Sequence, residues 1–489
     1  MRWSLRTAFL LAALLIGFVG SARNVSGSGR DDSGCGRDDT GSGRDDTGSG
    51  NESLASGQTG YAATRDSLIM IRLFSAVRPD VVLFTPVSGD YVAEVFGMEP
   101  FPVATGEPVL LFSVNGRVGV KSLHLPGVMA DGVRFAPAAA TATATVTAAA
   151  TATATVTATA TAAAAATATA PAAAAATATA TAPAAATATA AATSTIRTAP
   201  RFSLAIPGDT APPRIYSDAL ISSNEDGIFL LLNETPIENY LPGVVRTEGG
   251  TNRPSEFCKA QAVLARTYAW LNLSRHISDG YHLCDDVHCQ ASYGVTDEQV
   301  IVDAVRATAG IVVTGSDSVL VQAAYHSNCG GQTASAADTW LADLPHLQSI
   351  TDPYCVTSRN SSWNMTLPAQ EWQAFLTENG YTGPPDSTAA VTFEQKSRKQ
   401  YFEPGNGTRI AVTDIRNEFG LRSSFFSLSP SASSIVIDGR GYGHGVGLCQ
   451  EGAIVMASQR HTWREIIAFY YRNVLLIDIT AAKFPVPVR

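Results

Sequence analysis

Hydrophobic and polar positions change their period along the chain. Residues 66–133 carry short apolar runs of the β type, Leu68-Ile-Met-Ile-Arg-Leu73, Val81-Val-Leu-Phe84 and Val109-Leu-Leu-Phe-Ser-Val114, punctuated by Gly, Pro and Asp. Asn115-Gly116, between Val114 and Val118, predicts a two-residue hairpin turn. Ile215-Tyr216, Ala219-Leu-Ile221 and Ile228-Phe-Leu-Leu-Leu232 predict further strands. The spacing then becomes helical. Phe257, Ala260, Val263, Leu264, Thr267 and Leu271 fall on one side of a helix that has Pro254 in its first turn and runs to about Arg275. Thr296-Asp-Glu-Gln299 and Thr462-Trp-Arg-Glu465 are capping-box patterns opening two more helices, the first stopped by Gly310 and the second ending near Tyr471. Ile311 to Thr314 and Val319 to Tyr325 predict a hairpin around Gly315-Ser-Asp317. Irregular alternation of helices and antiparallel hairpins points to an α+β fold rather than a doubly wound sheet.

Three stretches lack any such pattern. Arg2 and Arg6, the apolar run Ala8 to Val19 and the small residues Gly20-Ser-Ala22 form a signal peptide over residues 1–22, so the chain is expected to be exported, either secreted or held by its N-terminus in the membrane. Residues 23–65 repeat a Gly-Ser-Gly-Arg-Asp-Asp unit and read as a tether without the apolar residues a core requires. Residues 136–200 are an insertion built almost wholly of Ala and Thr, with no amphipathic face to pack. This divides the folded part into a small β-rich domain at 66–135 and a larger domain at 201–489.

Charge narrows the function. The net charge of −9 is the wrong sign for a nucleic-acid binder. Mean hydropathy is only +0.07, and no long apolar run follows the N-terminus, which argues against a polytopic membrane protein. Export bears on the seven cysteines, since thiols outside the cytoplasm pair or hold metal; Cys35 is then the odd one out.

The candidate chemistry lies beyond residue 201. Glu248 follows the apolar stretch Tyr240-Leu-Pro-Gly-Val-Val245 and precedes Gly249-Gly250, which suggests a strand emptying into a loop ahead of a helix. A carboxyl beside apolar walls has a raised pKa and suits general acid catalysis; the alternative is a surface loop Glu. His276, Cys284, His288 and Cys289 supply two imidazoles and two thiols within fourteen residues, with His282 as a spare. Such a set suits a tetrahedral zinc with no open position, hence a structural ion; a Cys284–Cys289 disulfide is the rival. Cys329 with Cys355, and Cys258 with Cys449, are possible pairs. Trp340, Trp363, Trp372 and Trp463 serve either sugar stacking or core packing.

Four segments in order carry a resemblance. Glu238-Asn-Tyr-Leu-Pro-Gly-Val-Val245, Glu248-Gly-Gly through Glu256 to the helix Lys259-Ala-Gln-Ala-Val-Leu-Ala-Arg-Thr-Tyr-Ala269, Tyr325-His-Ser-Asn-Cys-Gly-Gly-Gln-Thr333 and Gly439-Arg-Gly-Tyr-Gly-His444-Gly-Val-Gly-Leu-Cys-Gln450 together resemble the SpoIID/LytB family over residues 214–478. The resemblance implies a cell-wall protein whose sporulation members are similar to lytic transglycosylases. Glu248 takes the place of the catalytic acid/base, and peptidoglycan glycan strands stripped of stem peptides are the substrate. It implies that Arg266, Tyr325, His326, Ser327, His444 and Gln450 are candidates to hold sugar groups, and that the Cys-Asp-x-x-His-Cys-Gln segment binds zinc in some members. Other members assist an amidase or other wall-remodelling partners instead of cutting glycan. Glu248-Gly-Gly stands where the family has Glu-Met-Pro, which implies a looser loop.

Overall fold

The computed structural model describes residues 67–138 and 199–479, together with the paired dipeptides Tyr61–Ala62 and Pro485–Val486. The segment expected to be a signal peptide, most of the expected tether with Cys35, and nearly all of the Ala/Thr insertion lie outside the described residues. The fold is α+β, with mostly antiparallel sheets. Among the described residues no helix is long and apolar enough to cross a membrane.

Two sheets form the first half. One runs in the order Arg214–Ser217, Arg201–Ala205, Val81–Ser88, Val109–Val114, Arg117–Lys121 and Val128–Ala130. The other runs Leu283–Cys284, Leu68–Arg72, Ile228–Pro236, Ala219–Glu225, Gly132–Pro137, Tyr91–Val95 and Phe101–Val103. Strands from both sides of the Ala/Thr insertion therefore share each sheet. Alternation along the strands turns every second side chain inward. The fully buried rings of Phe84 and Phe202 meet those of Tyr91 and Phe135, with Phe84 and Phe135 stacked 4.2 Å apart between centroids. Asn115 and Gly116 both have positive φ, 51° and 74°, the pair a type I′ hairpin requires.

The insertion leaves and returns beside one turn. The Ala138 N–H donates to the Asp90 carbonyl, and the Pro200 ring packs where a side chain on Gly89 would sit, 3.1 Å away. The Ser88–Asp90 turn thus has the insertion's two ends on either side of it.

The helical half is wrapped around Ser255–Leu271. One apolar side was expected; the helix is instead buried on nearly all sides, as one enclosed by other elements must be. Helices Ile237–Gly249, Gln299–Ala307, Gln450–Ser458 and Trp463–Tyr470 pack around it. The Thr462–Glu465 capping box is formed reciprocally. The one expected at Thr296 is not: the Thr296 hydroxyl accepts the Glu298 N–H, and the Gln299 amide, which should reach back to Thr296, donates forward to Asp303 at 2.8 Å, so the helix opens at Gln299 without a side-chain cap. Ile311–Gly315 makes only a brief contact with Val319–Val321 and pairs instead with Val474–Asp478.

Residues 363–439 form a unit the apolar pattern did not reveal, with a core of its own around Trp372, Phe402, Ile415, Phe426 and Ile437. Arg398 fastens it to the rest: the backbone N–H bonds to the Gln332 side chain, Nε to the Gln332 carbonyl at 2.6 Å, and Nη2 to the Cys329 carbonyl at 2.8 Å.

Candidate active site and metal centre

Glu248 lies in the last turn of the Ile237–Gly249 helix, not at the end of a strand. The expected strand over 238–245 is this helix. Ile237, Tyr240, Leu241, Val244 and Val245 form its buried face at helical spacing, and this face outweighs the presence of Pro242 inside. Gly243 lets the helix lie against the 292–294 loop, since a Cβ there would come within 2.3 Å of the Gly294 carbonyl. That approach sets the Ala291 N–H 2.7 Å from Glu248 Oε1. At the helix end Gly249 packs on Phe257, and Gly250, at φ +81°, turns the chain while Arg253 Nε caps the Gly249 carbonyl at 2.8 Å. The expected loose Gly-Gly loop is thus a packed helix terminus.

The carboxyl is partly buried, and its charge is felt by the phenols of Tyr240, Tyr268, Tyr293 and Tyr325. Burial lifts its pKa from 4.5 to about 7, against the lowering effect of the Ala291 N–H. Polar groups around it are only partly satisfied. Tyr325 Oη accepts from Gln290 Nε2 at 3.2 Å, while Gln290 Oε1, Tyr240 Oη and Gln261 Nε2 are buried with no protein partner among the described residues. Gln450 Nε2 donates to the Glu248 carbonyl at 3.1 Å. Glu248, Tyr325 and Gln450 are thus brought together, and Gln290 joins them although sequence reading had assigned it no part. Its position right after Cys289 was the available signal.

The other candidates take different places. Arg266 is a correction. Its guanidinium is fully buried and spent on Glu238, at 2.7 and 2.8 Å, and on the carbonyls of Ile311 and Val305, which leaves nothing to offer a sugar. His326 is buried, with Nδ1 3.0 Å from the Val446 carbonyl, and burial holds it neutral. His444 accepts the Val446 N–H at Nδ1 and points Nε2 at the Tyr325 carbonyl, both at 3.0 Å, so one nitrogen holds the glycine-rich loop and the other ties it to the Tyr325 strand. Its ring lies 5.3 Å from that of Trp340, which is 38% exposed. Ser327 Oγ accepts from Asn360. Trp372 and Trp463 are core residues. The Tyr325–His326 strand pairs in parallel with Leu448–Cys449, and Gly447 at φ +74° makes this possible, because a Cβ there would sit 2.1 Å from the Ala324 carbonyl. A cavity of about 740 Å³ beside Trp340, His346 and Arg472, and one of about 630 Å³ beside Gln332, Lys396 and Arg440, are both lined by residues other than Glu248.

The expected metal ligands converge. Ligand atoms of His276, Cys284, His288 and Cys289 all lie within 4.8 Å of one another. Cys289 Sγ is 3.4 Å from His276 Nε2, and both thiols are within 3.7 Å of His288 Nδ1. His276 Nδ1 faces Asp279 at 3.0 Å, which fixes the tautomer with Nε2 toward the thiols, as metal-bound imidazoles require. Both thiols are unbridged. The spare, His282, accepts the Met70 N–H instead. Asp285 in the same loop is buried and clamps the Phe74 and Ser75 amides and Arg214. One loop thus carries the expected Cys/His ligand set and, at Ala291, the amide that holds Glu248.

Of the two expected cysteine pairs, Cys329 and Cys355 come together, with their sulfurs 3.4 Å apart and unbridged, and Cys258 with Cys449 does not. Cys258 points to its own helix start, near the Arg253 carbonyl. Cys449 lies instead with Cys329 and Cys355, and Asp352 joins them.

An α+β chain with a desolvated carboxyl at a helix end and a neighbouring Cys/His set is thereby defined. The family model for the stage II sporulation protein SpoIID matches residues 225–314. An uncharacterized protein of Brachyspira hyodysenteriae is 30% identical over 272 residues, covering 54% of this chain and 72% of that one. The stage II sporulation protein D of Bacillus subtilis is 28% identical over 262 residues, 50% of this chain and 76% of that one. A Bacillus subtilis protein named amidase enhancer is 25% identical over 292 residues, 48% of this chain and 40% of that one. The chain belongs to the SpoIID/LytB family.

Proposed function

We propose that this protein is an exported peptidoglycan lytic transglycosylase with Glu248 as its single general acid/base. The observation that carries the reading is the Glu248 carboxyl, lifted to about 7 and held at one oxygen by the Ala291 N–H. Near neutral pH such a group is protonated in a useful fraction of molecules, so it can give its proton to the glycosidic oxygen as the C1–O bond breaks. The resulting carboxylate then takes the proton of the sugar's own 6-hydroxyl as that oxygen bonds to C1. The product is a 1,6-anhydro end; no water is consumed and the carboxyl is regenerated. A second carboxylate is unnecessary, unlike in two-carboxylate glycosidases. Tyr325, with the buried Tyr240 and Gln290 groups, forms the polar backing behind Glu248. Gln450 positions Glu248 through its main chain.

Zinc is the ion best suited to His276, Cys284, His288 and Cys289. Four protein ligands leave it structural, and it would stiffen the loop that presents Ala291. Binding at His288 Nδ1 leaves Nε2 as the N–H, so the Arg275 contact there is given up.

The test is mass spectrometry of denuded glycan strands incubated with wild type and with Glu248→Gln. Anhydro ends from wild type alone are expected; a folded, equally active variant refutes the assignment. The relative named amidase enhancer favours a second reading, a wall-binding module that stimulates an amidase. In that case neither protein yields anhydro ends, and both raise amidase turnover.

A further inference from the structure

We propose that Cys329, Cys355, Cys449 and Asp352 form a second zinc site, separate from the His276 cluster. The four residues come from three segments distant in sequence: the turn after the Tyr325–His326 strand, the 351–356 loop, and the junction between the Leu448–Cys449 strand and the Gln450–Ser458 helix. All four are buried, and their ligand atoms lie within 4.8 Å of one another. Cys329 Sγ is 3.4 Å from Cys355 Sγ and 3.3 Å from Asp352 Oδ2. The edges of a tetrahedron with zinc–sulfur bonds of about 2.3 Å are about 3.7 Å long, so the group is already close to the size of one coordinated ion. Three sulfurs and one carboxylate are a donor set that suits zinc.

The surroundings fit ligands in their anionic form. Cys449 caps its helix, so its sulfur accepts the Gly452 N–H at 3.4 Å, and it also accepts the Cys329 N–H at 3.3 Å. Helix N-termini favour thiolate. Asp352 Oδ2 accepts from the buried Tyr470 hydroxyl at 2.9 Å and Oδ1 from the Tyr354 N–H at 2.8 Å, an outer set that orients the carboxylate as ligating carboxylates are oriented. The Arg398 guanidinium, bonded to the Cys329 carbonyl, supplies positive charge beside a site whose four anionic ligands exceed the ion's charge by two. A disulfide between any two of the thiols leaves the third beside a fully buried carboxylate with no cation between them. A bound ion uses all four groups.

The site has a definite mechanical place. It ties the Tyr325–Thr333 segment, the 351–356 loop and the start of the Gln450 helix into one knot, and so backs the floor from which Tyr325 and Gln450 reach toward Glu248. It does not depend on what Glu248 does.

The test uses the full chain purified without chelator. The Cys284→Ser/Cys289→Ser variant, which lacks the other cluster, should retain one equivalent of zinc per chain. After exchange for cobalt it should develop thiolate-to-metal charge-transfer absorption. Cys449→Ser in the otherwise native chain should lose one equivalent relative to wild type. Wild type alkylated under denaturing, chelating conditions should have all three of these thiols blocked. A metal-free Cys284→Ser/Cys289→Ser variant, or unchanged zinc content on Cys449→Ser, overturns the proposal. So does a Cys329–Cys355 disulfide found by mass spectrometry in wild type, a measurement that holds even where a variant fails to fold.

Discussion

Replacing Glu248 by Gln should stabilise the protein while abolishing its chemistry. The carboxyl ionises near 4.5 in an exposed chain and at about 7 in the fold. A raised carboxyl binds a proton more tightly when folded. Stability is therefore unaffected below about pH 4, falls as pH climbs from 4.5 to 7, and stays at the lower level above that. At about 1.4 kcal/mol per pH unit, the cost at pH 8 is about 3 kcal/mol. Gln removes that cost, keeps the size of the side chain and still accepts the Ala291 N–H. Its denaturant midpoint should exceed wild type at pH 8, by a free energy of up to about 3 kcal/mol, and Tm should rise by roughly 2–4 °C. At pH 4 the two proteins should match. The assay is urea unfolding at the two pH values, alongside glycan cleavage. If the Glu248→Gln variant were equally or less stable than wild type at pH 8, the carboxyl would not be desolvated in the fold, and the argument for a general acid would lose its physical basis.

Three further outcomes are expected. Arg266→Met should lower stability by about 3–5 kcal/mol in urea unfolding, because it strands the Glu238 carboxylate inside the protein. Gly447→Ala should cost well over about 1 kcal/mol, since positive φ alone accounts for about that much and the new methyl collides with the Ala324 carbonyl. Stripping metal from the His276 cluster, or Cys284→Ser, should loosen the Ala291 amide. Glu248 then loses its one lowering influence, and the alkaline limb of the pH profile for kcat/KM should move upward as activity falls.

The strands were legible because their signals are local. A two-residue period and the Asn115-Gly116 turn need no knowledge of what packs above them, and the Thr462 cap is complete within four residues. The 237–249 helix was misread because Val244-Val245 and Pro242 argue locally for a strand, and only the burial of Tyr240, Leu241, Val244 and Val245 together decides otherwise. The Thr296 box failed although its parts are local: the Thr296 hydroxyl takes the Glu298 N–H, and the Gln299 amide turns forward to Asp303 on its own helix. The His276 cluster was readable because its ligands sit within one loop. Cys329 and Cys355 were readable as a pair, but Cys449 sits up to 120 residues from them, so no spacing advertises the group of three. Arg266, directly after the apolar run Ala262-Val-Leu-Ala265, was a sign of a buried ion pair, but its partner Glu238 lies on another helix. The 363–439 unit left one readable trace, the Asn406-Gly407 turn, whose φ values of 52° and 78° match a hairpin.

The Ala/Thr insertion departs and rejoins at the two shoulders of a single turn, Ser88 to Asp90. The gap it must bridge is consequently fixed by that turn and owes nothing to how many residues bridge it. Doubling the number of residues between two fixed ends adds only about 0.6 kcal/mol to a loop's closure penalty. Length and repeat number there are thus freed from the demands of folding, and selection can lengthen or shorten the segment without the two sheets registering the change.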